Sequence, residues 1–84
     1  MRKKISAVWA KATPLRGKNP DVYRKDLYKN KIRKASYGTK GEYGWEIDHK
    51  KLRAKGGSDT SRNRQPLHWK ENRKKSDTYP YKRN

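Results

Sequence analysis

At 84 residues the chain has the length of one small domain, and its formal net charge of +17 makes a neutral partner a poor default. Nucleic acid is the first expectation and an anionic membrane surface the second. Only 29% of residues are hydrophobic and Phe is absent, so the core must be small and carried largely by three Trp and six Tyr.

The charge is not a basic tail on a neutral domain. Residues 1–43 hold thirteen basic against three acidic side chains, and residues 44–84 hold twelve against five. The absence of cysteine rules out disulfides and a Cys-ligated zinc. No apolar run approaches the ~20 residues of a spanning helix. The start, Met1-Arg2-Lys3-Lys4 followed by Ile5–Ala10, mimics a signal peptide, but Lys11 ends its apolar part early. The expectation is an intracellular, cytoplasmic protein without a membrane partner.

In chain order, Ile5, Val8, Trp9 and Ala12 are spaced like one face of a short helix. Trp9 reads as a core anchor rather than a base-stacking platform. Pro14, Gly17 and Pro20 then interrupt any long element. Asn19-Pro20-Asp21 looks like a helix start, which predicts a helix over Asp21–Asn30. Ile32–Tyr37 reads as a short strand and Gly38–Gly41 as a loop. Tyr23, Tyr28 and Tyr37 are open between patching a thin core and stacking bases; the first weighs more.

Trp45-Glu46-Ile47-Asp48 alternates apolar and acidic, the pattern of a half-buried strand. Gly56-Gly57-Ser58-Asp59 is a loop signal. Arg64–Leu67 reads as a second strand, with Pro66 facing away from the ladder. Helical periodicity resumes near His68 and relates Trp69, Asn72, Lys75 and Ser76. The tail 78–84 reads as irregular. The predicted order is strand, long loop, strand, helix.

This stretch, Tyr43–Asp77, holds both histidines. His49 precedes Asn63 by fourteen positions, and Asn63 precedes Asn72 by nine. With Asp48-His49, the Gly56-Gly57-Ser58-Asp59 loop, Gln65-Pro66-Leu67-His68-Trp69 and Asn72-Arg73-Lys74-Lys75-Ser76-Asp77, it resembles the HNH endonucleases of the ββα-metal class. The resemblance covers about the C-terminal half. It implies an α+β domain of the ββα-metal type with an N-terminal helical leader. The leader spans residues 1–42, the nuclease motif 43–77 and a basic tail 78–84, together one compact domain.

The chemistry suits those residue types. Phosphodiester hydrolysis needs a proton taken from water and charge neutralised on the leaving oxygen. An imidazole titrates near working pH and does the first. A hard divalent cation with oxygen ligands does the second. By resemblance, His49 takes the general-base position, and Asp48 and Asn72 take the metal-ligand positions. Asn63 takes the middle position that braces the site, and Lys75 a basic position near the scissile phosphate. Arg73, Lys74, Lys50 and Lys51 join Lys75 as the expected nucleic-acid contacts. Should Asn72 prove not to be a ligand, Asp59, Glu71 and Asp77 come next.

The expected cofactor is Mg²⁺, with Mn²⁺ a substitute. The expected substrate is DNA, with RNA left open, and the resemblance implies cleavage to 5′-phosphate and 3′-hydroxyl ends. Adjacent strand residues point to opposite faces, so the strand is expected to end or bulge near Asp48, with the Asn72 helix packed across it. His68 and Glu71 stand where zinc-bearing relatives carry cysteines, so His68 is expected to pack on Trp69 or to bond locally. Leu52 and Arg64 also depart from the usual pattern, where many relatives have proline and leucine. The rival reading is a non-catalytic basic nucleic-acid-binding module. Removing residues 1–20 is expected to weaken the salt dependence of binding without abolishing cleavage.

Overall fold

Helix α1, Arg2–Trp9, forms because its apolar residues recur at helical spacing and have a surface to cover. The computed structural model describes residues 2–77, and the predicted irregular tail 78–84 lies outside them. Val8, Trp9 and Ala12 are buried together with Ile32 and Trp45, and Ile5 and Ile47 pack against this cluster. The Trp9 and Trp45 rings meet at 5.3 Å between centroids. Each indole N–H finds a carbonyl: Trp9 donates to Pro20 (2.9 Å) and Trp45 to Lys34 (3.3 Å). The Arg24 guanidinium lies over the Trp9 ring and holds the Ala10 and Ala12 carbonyls (3.2 and 3.1 Å) just beyond the end of α1. Trp9 is thus the core anchor it resembled. Val8, Trp9 and Ala12 share one core with Ile32 and Trp45, so removing residues 1–20 takes away three of these five buried residues rather than charge alone.

Three strands follow: β1 (Thr13–Pro14), β2 (Tyr23–Lys25) and β3 (Lys31–Arg33), in one antiparallel sheet. The helix expected over Asp21–Asn30 is not there. Asn19 turns the chain instead: its side chain accepts the Asp21 N–H, and its carbonyl accepts those of Val22 and Tyr23. Asp26 then closes the β2–β3 hairpin by accepting the N–H groups of Tyr28 and Asn30, each at 2.9 Å, with Lys29 left-handed at φ 67°. Short polar side chains that bond nearby backbone outcompete helix at such places. The strand expected over Ile32–Tyr37 is also shorter. It stops at Arg33, and Lys34–Ser36 form a 3₁₀ turn.

The second sheet is a two-stranded antiparallel pair, β4 (Trp45–His49) and β5 (Arg64–His68). Its register pairs Trp45 with His68, Ile47 with Pro66, Asp48 with Gln65 and His49 with Arg64. Helix α2, Trp69–Asp77, follows β5 directly. The protein is therefore a small α+β domain with two antiparallel sheets and two α-helices among the described residues. None of those helices is long and apolar enough to cross a membrane.

Side-chain alternation along β4 separates two environments. Trp45 and Ile47 face the α1 cluster, whereas Glu46 and Asp48 face α2. His49 falls on the α1 side. The strand ends there without a bulge, paired with Arg64.

Candidate nuclease site

Asn63 ties the long loop between β4 and β5. Its side-chain oxygen accepts the Lys51 N–H (2.8 Å), and its amide nitrogen donates to the carbonyls of Lys51 (2.9 Å) and Ser58 (2.6 Å). Its backbone carbonyl accepts the Lys50 N–H at 2.7 Å. One asparagine thereby holds both ends of the loop that follows His49. The loop itself requires its two glycines. Gly56 is left-handed at φ 89°, and a Cβ on Gly57 would lie 1.9 Å from the Lys51 carbonyl oxygen. An open cleft runs beside it, lined by Lys51, Ser58, Thr60, Arg62 and Asn63.

His49 is half-buried at the end of β4. Its Nε2 lies 2.8 Å from Asp59 Oδ1. Arg64 donates from Nε to the same carboxylate oxygen (3.1 Å) and from its terminal nitrogen to the Asp59 carbonyl. Lys4 from α1 approaches the other oxygen at 3.8 Å. The His49 hydrogen bond, and then that of Arg64, hold the Asp59 carboxyl well below the usual carboxylate range. Asp59 therefore stays ionised and accepts the imidazole N–H. That fixes the tautomer in which Nδ1 carries the lone pair. Lys11 donates to the Ser61 and Arg64 carbonyls, the latter at 3.0 Å. Its ammonium is pulled below the usual lysine range by burial first, then by Lys50 and Arg64. Positive charge is thus concentrated beside His49.

Asp48 lies on the opposite face, buried under α2. Its Oδ2 accepts from Lys75 Nζ at 2.6 Å and from Gln65 Nε2 at 2.8 Å. Burying a carboxylate costs several kcal/mol unless it is paired, and Lys75 supplies the pair. Lys75 also donates to the carbonyls of His49 (2.8 Å) and Lys50 (3.2 Å) and is 6% exposed. Its ammonium points inward, whereas Lys50, Lys51, Arg73 and Lys74 are exposed. Asn72 donates from its side chain to Glu46 Oε1 (2.8 Å), and Arg73 to Glu46 Oε2 (2.8 Å). Asp48, Glu46 and Asn72 thus share the interface between β4 and α2, where Asn72 is bonded to Glu46 and Asp48 to Lys75 and Gln65.

Oxygen donors from two carboxylates and an amide suit a hard cation such as Mg²⁺ or Mn²⁺. No group of three or more His, Cys, Asp or Glu side chains converges among the described residues, so such an ion would rest on few protein ligands. Magnesium commonly binds this way, keeping several waters.

His68 is a structural residue. It stacks on Trp69, donates from Nε2 to the Glu42 carbonyl (2.7 Å) and accepts the Lys70 N–H at Nδ1 (3.1 Å), which caps α2. Glu71 is buried and accepts from the Asn30 side chain at 3.2 Å. Asp59, Gln65 and Glu46 are the contacts that the motif spacing did not reveal. Gln65 was within reach: once Asn63 closes the loop, the residue opposite Asp48 is two positions further on. Asp59 reads from the sequence as a reserve metal ligand, whereas its carboxylate lies against His49. No family model, curated protein or solved structure matches the chain significantly.

Proposed function

We propose that the protein is a metal-dependent endonuclease of the HNH type, of the ββα-metal fold, that hydrolyses DNA. The observation carrying this reading is the Asp59–His49 hydrogen bond at the end of β4. A surface histidine in a binding module has no need of a carboxylate that fixes its tautomer. A general base does. With Nε2–H held by Asp59, Nδ1 accepts a proton from the attacking water, and the resulting imidazolium is stabilised by the same carboxylate.

Asn63 keeps the loop closed so that His49 and Asp59 stay in register. Lys4, Lys11, Lys50 and Arg64 draw the phosphate towards the imidazole. Asp48 and Asn72, with Glu46 beside them, are the residues to hold Mg²⁺ or Mn²⁺, which when bound supplies Lewis-acid neutralisation of the leaving oxygen. Because Asp48 and His49 diverge from adjacent positions, base and metal ligand approach a phosphate at the strand end from different sides, as in-line displacement demands. The exposed Lys50, Lys51, Arg73 and Lys74 bind the flanking backbone.

A second reading, a catalytically silent nucleic-acid-binding module, is favoured by one observation: the proposed ligand Asp48 already carries the Lys75 ammonium. Incubating the purified chain with plasmid DNA, and in parallel with RNA, with and without Mg²⁺ or Mn²⁺, separates the two. Metal-dependent nicking or linearisation is expected. Tight binding without cleavage under any of these conditions selects the binding module.

A further inference from the structure

The Lys75 ammonium is held by three oxygens: Asp48 Oδ2 at 2.6 Å, the His49 carbonyl at 2.8 Å and the Lys50 carbonyl at 3.2 Å. An ammonium has three donors, so the set is complete. One carboxylate and two carbonyls around a buried cation are also the donors that a hard metal ion takes. The proposed metal ligand is therefore occupied by a cation that belongs to the chain. With Gln65 Nε2 also donating to Asp48 Oδ2 (2.8 Å), a metal that takes this oxygen competes with Lys75 for its lone pairs and is repelled by the ammonium at that separation. Lys75 sits in the last turn of α2, next to the exposed Arg73 and Lys74, and carries its ammonium on a flexible four-carbon stem.

We propose that Lys75 is a resident counter-cation which a divalent metal must displace from Asp48, and that the displaced ammonium then meets the DNA phosphate. The proposal rests on Asp48 being the metal ligand of the reading above. It makes metal and DNA binding mutually reinforcing: a phosphate that captures Lys75 empties the cradle, and a metal that fills the cradle frees Lys75 for the phosphate. Reciprocity of that kind is required of any such coupling.

The test reads Lys75 directly in the full-length wild-type chain. An amine-acylating reagent is applied and the modification rates of Lys75 and Lys74 are compared by peptide mass spectrometry, with and without Mg²⁺ or Mn²⁺. Lys75 should react far more slowly than Lys74 without metal, and catch up as metal is added over the range that supports cleavage. In Asp48→Asn it should react readily from the outset. Metal-dependent cleavage with Lys75 still protected overturns the exchange while leaving the nuclease reading intact. A Lys75 that is reactive without metal overturns it too. Absence of both cleavage and any metal effect on Lys75 overturns the two together. As a second measurement, Lys75→Met should bind Mn²⁺ at least about tenfold more tightly than wild type by electron paramagnetic resonance, and equal affinity in a folded variant counts against the proposal. If that variant does not fold, the wild-type labelling decides.

Discussion

His49 and Asp59 lie ten positions apart and are joined by a 2.8 Å hydrogen bond that neither residue's local sequence requires. Asp59 touches the proposed base rather than the reacting atoms, so in that reading it is a positioning residue. Asp59→Asn replaces an obligate acceptor with an amide that can also donate, and the tautomer of His49 is no longer fixed. Cleavage should fall at least about tenfold, short of the ~10²–10⁴ expected for losing the base itself. DNA affinity should hold or rise slightly, because a negative charge is removed. Asp59→Glu should recover part of the rate. A change confined to the Michaelis constant would place Asp59 in substrate binding instead.

The same carboxylate gives the fold a pH signature. Its folded pKa lies below the ordinary ~3.9 of an aspartate. A depressed carboxylate contributes stability that is fully present above the unfolded value and lost as pH falls through the folded one. The difference in melting temperature between wild type and Asp59→Asn should therefore shrink as pH falls below about 4. The difference should be small, since Asp59 is open to solvent and salt screens it. A difference that grows as pH falls below about 4 would contradict the assigned ion pairing.

Removal of the base separates catalysis from binding. His49→Ala should cut at least about a hundredfold more slowly at neutral pH. It should bind DNA with near wild-type affinity, because the surrounding lysines and arginines supply the charge. A filter-binding assay beside a nicking assay measures both. Equal cleavage rates would remove His49 from the mechanism.

Asn72 and Glu46 are hydrogen-bonded across the interface of α2 with β4. Asn72→Ala should lower cleavage and raise the Mg²⁺ concentration needed for half-maximal rate. Asn72→His should keep part of the activity in Mn²⁺, since imidazole also binds that ion. Glu46→Gln should shift the metal requirement in the same direction if its carboxylate belongs to the site. Its metal dependence should stay at the wild-type value if it only positions Asn72 and Arg73.

The N-terminal segment is tested by stability. Trp9 is 2% exposed against Trp45, so Trp9→Ala should cost about 3–5 kcal/mol, enough to unfold a domain this small. Deleting residues 1–20 should give a chain without cooperative thermal unfolding. The intact chain should bind duplex DNA with a steep salt dependence, a log–log slope of about −0.9 for each phosphate neutralised. A cooperatively folded deletion would show that the C-terminal half has a core of its own.

Much of this arrangement was legible in the residues because it is local or periodic. Alternation over Trp45–His49 places Asp48 and His49 on opposite faces whatever else the chain does. Gly56-Gly57 announces a tight loop, since few other residues tolerate its backbone, and Asn63 has the short amide that bonds nearby backbone. The spacing of Ile5, Val8, Trp9 and Ala12 announces a buried helix face. Asn19 misled for a local reason as well: a residue that caps a helix bonds a turn just as readily, and only the pairing of β2 with β1 and β3 selects the turn. The partners of the site residues were decided by tertiary packing. Helical period relates Lys75 to Asn72 on α2, but it does not say that β4 offers a buried carboxylate and two carbonyls there. Once Asp48 is covered by α2, the cost of an unpaired buried charge draws Lys75 inward, away from the phosphate-binding surface that its position in the motif implied. Asp59 meets His49 because Asn63 folds the loop back and Arg64, paired with His49 across the sheet, holds the carboxylate in place. Each of those bonds joins residues whose chemistry is plain in the sequence and whose proximity is created only by closing the chain.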